Sequence, residues 1–354
     1  MSGLRGTNCP VPDSGEVYVS ESADNRGVAA GGGVVGPMPV PGDLLVEAAG
    51  RLTPAGRGQR MRTGRQFVEQ AGRLGIDLRL MRAVVHGDGR RRAVGQVCLP
   101  VAGAGRTAMF FVSGPASQES EADRAERVAV VQAGFEAVRS LGEGAVRLCQ
   151  ALPEPGEVWA IAAYEAAGFS RIGPLDYMRR PLHAAESGGG VAPIVPSGLD
   201  GWPGGVEVRS CEPGERDEAL VARALEASYE GTMDCPELCG LRETADVLVS
   251  HRATGRWEPC MWWLALREGE PVGCVLLNPC PEIGSVELVY LGLSPAVRGV
   301  GLADALLRAA ISASAARGGE LTCAVDRRNA PACGLYVRHG FRRFAERIAL
   351  VRAL

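Results

Sequence analysis

The chain repeats itself, and that repetition limits its possible folds more than any single motif does. Ala162–Phe169, AAYEAAGF, parallels Gly334–Phe341, GLYVRHGF, with Tyr, Gly and Phe in register. Upstream, AVGQVCL (Ala93–Leu99) parallels PVGCVLL (Pro271–Leu277), each after a polar turn signal, HGDGRRR in the first copy and REGE in the second. Between these marks, TAMFFVSGP (Thr107–Pro115) parallels VELVYLGLSP (Val286–Pro295). The matches keep one order in both halves, and 354 residues is a natural length for two domains. A duplicated domain is therefore expected.

Composition shifts mark the boundaries. Residues 1–42 are rich in Gly, Pro, Ser and Asp and end in VAAGGGVVGPMPVPGD, which reads as a loosely attached or disordered tail. Residues 185–204 lie within AAESGGGVAPIVPSGLDGWPGG, a linker by composition. Modules over 43–184 and 205–354 follow. Each reads as helix, helix, hairpin, central strand, long helix, strand, short helix and final strand. In the second copy RDEALVARALEASYE is amphipathic, and MWWLALREGEPVGCVLL gives two apolar strands around a polar turn. Asn329 suits a helix N-cap with Pro331 in the first turn, and Gly340 suits the C-terminal cap. Strands alternating with helices predict an α/β (α+β) fold, each module a mixed sheet flanked by helices.

The formal net charge of −3 provides no basic field for nucleic acid. All 38 basic residues are Arg, which removes any lysine nucleophile, Schiff base or Walker lysine. The eleven Cys are irregularly spaced. Cys235 and Cys239 have no second close pair, so no metal site is expected, and most other thiols read as small core residues of a cytoplasmic protein. No apolar run reaches ~18 residues, so no membrane span is expected, and the N-terminus lacks the pattern of a signal peptide.

Arg298-Gly299-Val300-Gly301-Leu302-Ala303 lies between an apolar strand and a helical pattern in which Leu302, Leu306, Ala310 and Ala313 recur. A helix N-terminus offers unpaired N–H groups and partial positive charge. Glycines there admit close approach of a ligand, so the turn is a candidate phosphate cradle with Arg298 as an adjacent cation. It is not a dinucleotide fingerprint, because Asp304 stands at the last glycine position, nor a phosphate-binding loop of the Gly-Lys-Ser/Thr kind. A purely structural turn is the alternative.

The spacing of Arg298, Gly301 and Ala303 resembles the acyl-CoA pyrophosphate loop of the GNAT N-acetyltransferases, and it follows a strand as theirs does. Asn329, Ala332, Leu335, Tyr336, Gly340 and Phe341 are similar to that family's second signature, N-x-x-A-x-x-L-Y-x-x-x-G-F. The resemblance covers roughly 205–354. It extends to tandem members of the family, whose strand E-x-x-x-x-G-x-x-P is similar to Glu287–Pro295.

This resemblance implies transfer of an acetyl or similar acyl group from acetyl-CoA to an amine. Leu291, Gly292 and Leu293 would pair with the pantetheine arm as an added strand does. The N–H groups of Gly299, Val300, Gly301, Leu302 and Ala303 would hold the pyrophosphate, and Asn329 would fix the neighbouring turn. Tyr336 is the implied general acid for the departing thiolate; an ordinary half-buried tyrosine is the alternative. Glu287 is the candidate base or amine-recognition carboxylate; a solvated edge glutamate is the alternative. Glu282, Glu230 and Asp234 are weaker carboxylate candidates. His251 and His339 have suitable pKa values but sit in polar helical contexts that suit solvated histidines. Trp257, Trp262 and Trp263 read as core aromatics before they read as an acceptor pocket.

The first copy departs from the pattern. Ala116 onward reads ASQESEADRAERVAVV, with acidic Glu119, Glu121 and Asp123 where a pyrophosphate needs N–H groups and positive charge. Tyr164 is retained, but no residue matches Asn329. A degenerate module is expected, serving as a structural partner or shaping the acceptor cleft. The expected partner is a small-molecule or peptide amine, bound by a monomer or homodimer without metal. A non-catalytic acyl-CoA sensor or scaffold remains the competing reading.

Overall fold

The computed structural model describes residues 33–54, 56–87, 92–115, 119–183 and 201–354; the first 32 residues of the expected tail, and 185–200 of the expected 185–204 linker, lie outside the described residues. The elements run β1 (Gly33–Pro39), α1 (Leu45–Arg51), α2 (Arg60–Ala71), β2 (Arg82–Gly87), β3 (Arg92–Gly103), β4 (Thr107–Val112), α3 (Glu121–Arg139), β5 (Leu148–Ala151), α4 (Val158–Ala166) and β6 (Ser170–Pro181). The second series follows: β7 (Glu207–Ser210), α5 (Glu215–Tyr229), α6 (Thr244–Ala253), β8 (Trp262–Arg267), β9 (Glu270–Cys280), β10 (Ser285–Leu293), α7 (Leu302–Ala315), β11 (Glu320–Asp326), α8 (Ala330–Arg338) and β12 (Arg342–Ala353). The two series match element for element. Gly33–Pro39, inside the segment whose composition suggests a loose tail, pairs with β2 as an edge strand. An edge strand is held by its main chain on one side only, so its Gly- and Pro-rich composition carries little strand signal.

All the strands join one sheet of order β1-β2-β3-β4-β5-β12-β6-β11-β10-β9-β8-β7. Two pairs are parallel, β4 with β5 and β10 with β11, at equivalent places in the two series. The centre holds an exchange. The last strand of the second half, β12, lies against β5 of the first, and the last strand of the first half, β6, lies against β11 of the second. The exchanged strands pair antiparallel with each other from Arg342↔Arg179 to Val351↔Ser170.

Each core is sealed by the strand it receives. Met178 of β6 packs among Leu321, Cys323, Val325, Leu335 and Tyr336, whereas Leu350 of β12 packs among Phe110, Val131, Tyr164 and Phe169. Burial of either side chain is worth about 2 kcal/mol, so each half contributes to the other's stability. A second contact carries charge. Arg106, in the β3–β4 turn, pairs with Asp246 of α6 at 2.9 Å, and Arg147 pairs with Glu243.

The repeated Tyr-x-x-x-Gly-Phe unit folds the same way twice. Gly168 and Gly340 take φ of 87° and 82°, ending α4 and α8 in the left-handed conformation that glycine adopts without penalty. The next N–H turns back, from Phe169 to the Tyr164 carbonyl at 2.9 Å and from Phe341 to the Tyr336 carbonyl at 3.0 Å. The Tyr and Phe ring centroids lie 5.3 Å apart in both copies.

Candidate active site

The site begins where two parallel strands separate. β10 pairs with β11 only from Ser285↔Glu320 to Glu287↔Thr322. Beyond Glu287 the strands diverge, while β10 stays paired with β9 as far as Leu293↔Gly273. A bulge between Leu288 and Tyr290 turns the strand at this point. The main chain of Leu291, Gly292 and Leu293 thus carries one edge with no strand partner, the arrangement that accepts an extended guest. Gly292 has a packing reason as well: a Cβ there would meet Tyr290 Cε1 at 2.4 Å and Ser228 Oγ at 2.8 Å.

The strand leads into a loop exposed from Arg298 to Gly301. Gly299 and Gly301 take φ of 77° and 87°, and both Cβ positions are open apart from Pro203 Cγ 4.0 Å from the one at Gly301. The glycines here serve a backbone shape that L side chains resist. Gly301 is the N-cap of α7 and no side chain caps this helix, so the first-turn N–H groups, on Leu302, Ala303 and Asp304, remain for an anion. Asp304 lies in that turn but its carboxylate is engaged by His339 Nε2 at 2.7 Å and by Arg308. The His339 bond holds the Asp304 carboxyl below its ordinary range.

Arg298 occupies a different position from a free cation. Its guanidinium donates to the carbonyls of Leu293, Ser228, Glu230 and Gly231 at 2.8–3.2 Å. Three of those carbonyls end α5 or follow it, where the helix dipole favours a cation. Arg298 therefore ties the glycine loop to the segment after α5. The sequence places the residue in the loop but does not reveal its partners, three of which are distant in the chain.

Tyr336, on α8, is 7% exposed and sits in the core cluster between α8 and β11. No hydrogen bond to its hydroxyl occurs among the described residues. Burial holds its phenol well above the ordinary range, with Cys323 and Asp234 adding to the effect. Asn329 caps α8 by accepting the Ala332 N–H at 3.2 Å.

Glu287 lies on the opposite face of the sheet from α7. Its neighbours Val286 and Leu288 point into the core with Leu306 and Leu307, while Glu287 accepts a hydrogen bond from Thr322 Oγ1. Burial raises its carboxyl pKa, and the Thr322 bond only partly offsets that. Asp234, beyond α5, accepts the Asp326 N–H at 2.8 Å, and Asp326 in turn accepts the Cys235 N–H at 3.1 Å. Burial raises the Asp234 pKa too. Both carboxyls thus have raised pKa values, Glu287 beside Thr322 in β11 and Asp234 at the Asp326 end of that strand. Glu230 enters only through its carbonyl to Arg298, and Glu282 is exposed.

His251 departs from the solvated histidine that its sequence context suggests. Burial lowers its pKa to about 4, with Arg242 adding to the shift. Its Nε2 is buried with no partner among the described residues, and its ring lies 5.7 Å from that of Tyr290. A helix read as polar packs Leu248 against α5, β8 and β9, and Asn278 of β9 donates to the His251 carbonyl at 2.7 Å. Trp262 and Trp263 are each 2% exposed and serve as core. Cys235 and Cys239 are free thiols, and among the described residues no group of three or more His, Cys, Asp or Glu is placed to hold a metal. No described helix is long and apolar enough to cross a membrane.

The equivalent place in the first half is closed. β4 and β5 pair only from Thr107↔Leu148 to Met109↔Gln150 and then diverge as β10 and β11 do. Here the Tyr164 hydroxyl donates to the Phe110 carbonyl at 3.0 Å. Arg127, 1% exposed, donates to the Ser113 carbonyl at 3.2 Å, lies 5.0 Å from the Trp159 ring centroid and pairs with Glu119. The N-terminus of α3 is filled by its own capping box, Ser120 with Asp123.

A family model described as Acetyltransferase (GNAT) family matches residues 226–341, from α5 to the turn before β12. A mycothiol acetyltransferase of Beutenbergia cavernae is 32% identical over 185 residues, covering 50% of this chain and 58% of that protein. A mycothiol acetyltransferase of Thermobispora bispora is 31% identical over 231 residues, covering 61% of this chain and 72% of that protein. The match thus spans little more than half the length of the Beutenbergia relative. Among solved structures, a GCN5-related N-acetyltransferase from Sphaerobacter thermophilus superposes with a TM-score of 0.53 at 18% identity, covering 90% of this chain and 95% of that one. At that identity the likeness concerns the fold alone.

Proposed function

From the premise that this chain belongs to the GNAT acetyltransferase family, we propose that it transfers an acetyl group from acetyl-CoA to a primary amine by direct attack, using the divergence of β10 and β11 as its acyl-CoA slot. One observation carries this reading: an uncapped, exposed helix N-terminus at Gly301 adjoins an open strand edge in the half whose tyrosine hydroxyl is unpartnered. In the other half the equivalent helix is self-capped and the equivalent hydroxyl is taken. We assign catalysis to the second module and a supporting role to the first.

The N–H groups of Gly299–Ala303 hold the pyrophosphate, and Arg298 keeps their loop in shape. Leu291, Gly292 and Leu293 align the pantetheine arm along the open edge, and an N–H there steadies the developing oxyanion. Asn329 fixes the start of α8. Glu287, whose burial makes it a stronger base than a solvated glutamate, accepts the proton of the attacking ammonium, directly or through water. The neutral amine then attacks the thioester carbonyl; the C–N bond forms, the C–S bond breaks, Tyr336 gives its proton to the departing sulfur, and the phenolate regains one from the acylated nitrogen. A phenol with a raised pKa is fully protonated at neutral pH, as an acid must be.

The relatives' name makes the amine precursor of mycothiol the first acceptor to try, if the source organism makes that thiol. The test is release of free CoA thiol from acetyl-CoA, with mass spectrometry of the amine. Thiol release that depends on the amine, with an acetylated amine as product, is expected. Binding of acetyl-CoA without turnover across the amine panel would favour the sensor reading instead.

A further inference from the structure

The exchange at the centre of the sheet places a first-half residue beside the site of the second. Glu287 pairs across the ladder with Asn278, whose side chain donates to the His251 carbonyl, so both project toward α6. Thr322 shares that face through its bond to Glu287. Ala324, two residues on, also faces that way, and it is exposed. The residue opposite Ala324 is Tyr177, on β6. A small, uncovered residue thus lies between Glu287 and Thr322 on one side and a tyrosine on the other.

The side chains around Ala324 are aromatic and charged. Phe344, from β12, meets the Tyr177 ring edge-on with centroids 6.4 Å apart. The Arg179 guanidinium lies 5.1 Å from the Phe344 ring centroid. Toward the other end, Leu175 packs in one cluster with Cys235 and Leu238 of the segment after α5, the segment that also supplies Asp234. The Glu287 carboxylate acts electrostatically on the Tyr177 phenol, behind the larger effect of burial and that of Arg347.

We propose that Tyr177, carried across on the exchanged strand, is an acceptor-binding residue of the second half's site, its hydroxyl hydrogen-bonding a hydroxyl or carbonyl group next to the amine while Glu287 faces the amine itself. The acceptor class is a small primary amine with a polar group on the neighbouring carbons, seated over Ala324. This inference rests on the acetyl-transfer reading. It explains why the chain keeps a first half whose own slot is closed: that half completes the acceptor site.

The test is the steady-state kinetics of Tyr177→Phe on the full chain, which removes the hydroxyl and keeps the ring against Phe344. The amine is whichever of glucosamine, spermidine, tyramine and alanine amide the unaltered chain acetylates fastest. Acetylated product is followed by mass spectrometry. The expected result is an amine KM raised about tenfold or more, with the KM for acetyl-CoA and the calorimetric affinity for CoA within twofold and the thermal midpoint unchanged. An amine KM within twofold of the unaltered chain's overturns the proposal while leaving acetyl transfer standing. Equal rises in both KM values with a lowered midpoint also overturn it, because the role is then structural. An unaltered chain that acetylates none of the amines overturns the acetyl-transfer reading and this inference with it.

Discussion

Tyr164 and Tyr336 occupy equivalent positions in the two halves, each one helical turn before a left-handed glycine and a packed phenylalanine, yet only the Tyr164 hydroxyl has a hydrogen-bond partner among the described residues, the Phe110 carbonyl at 3.0 Å. The same side chain is tied to the strand in one half and left without a hydroxyl partner in the other. In the first half Arg127 lies beside the strand end as well, donating to the Ser113 carbonyl and stacking near Trp159.

Removing the two hydroxyls is therefore expected to have opposite signatures. Tyr336→Phe lowers kcat about 10- to 100-fold, in the range of a lost general acid, with the calorimetric affinity for CoA unchanged. Tyr164→Phe leaves kcat within twofold and instead costs stability, about 1–2 kcal/mol in urea unfolding, because a buried carbonyl loses its donor.

The pH dependence of the reaction follows from Glu287. Burial raises its pKa, so the carboxyl stays protonated to higher pH than a free glutamate and becomes a base only above that point. The rate with the amine rises as pH climbs through the raised value. The effect on stability has the reverse sign: its contribution is present below the ordinary glutamate pKa and is lost as pH rises through the folded-state value. Profiles of kcat/KM for the amine are expected to show this limb in the unaltered chain and to lose it in Glu287→Gln.

His251 makes the fold acid-sensitive. Its folded pKa of about 4 lies below the ordinary 6.5. The unfolded chain therefore takes up a proton first, and stability present above pH 6.5 is lost as pH falls toward 4, by roughly 2–3 kcal/mol. Urea midpoints measured across that window should fall less steeply in His251→Phe, whose ring keeps the contact with Tyr290 and cannot titrate.

The strand exchange predicts that the halves stay together when the chain is cut. Residues 1–190 and 191–354 made as separate polypeptides in one cell are expected to co-purify with the acetyl-transfer activity of the intact chain, because Met178 and Leu350 each fill the partner's core. Expressed singly, each fragment lacks its central strand and should aggregate. Size-exclusion chromatography of the separate and paired fragments decides this.

The duplication, the glycine turn and the capped helix at Asn329 were legible in sequence because each rests on local physics: periodic apolar residues, glycine at positive φ, an Asn side chain reaching its own helix. The exchange was not legible. β6 and β12 carry the same local pattern whichever half they join, and only the long-range ladders, β6 on β11 and β12 on β5, distinguish the arrangements. Contributions that depend on it, Tyr177 above all, left no signal in the chain's order. The burial of His251 was hidden for a related reason, since its ring meets Tyr290 of β10, distant in sequence. Three of the four carbonyl partners of Arg298 lie some seventy residues upstream, as Ser228 does, so the residue type and loop were readable but not what the guanidinium holds.

The central claim, that the loop Arg298–Ala303 and the open edge of β10 form one acyl-CoA site, is tested most directly by calorimetric titration of the full chain with acetyl-CoA beside the Gly301→Val variant. Valine at φ near 87° is strained, and its branched side chain obstructs the N–H groups at the start of α7. The account predicts one molecule bound per chain, with affinity lowered at least tenfold in the variant. No heat with the unaltered chain, two molecules per chain, or a variant that binds as tightly as the original would contradict it.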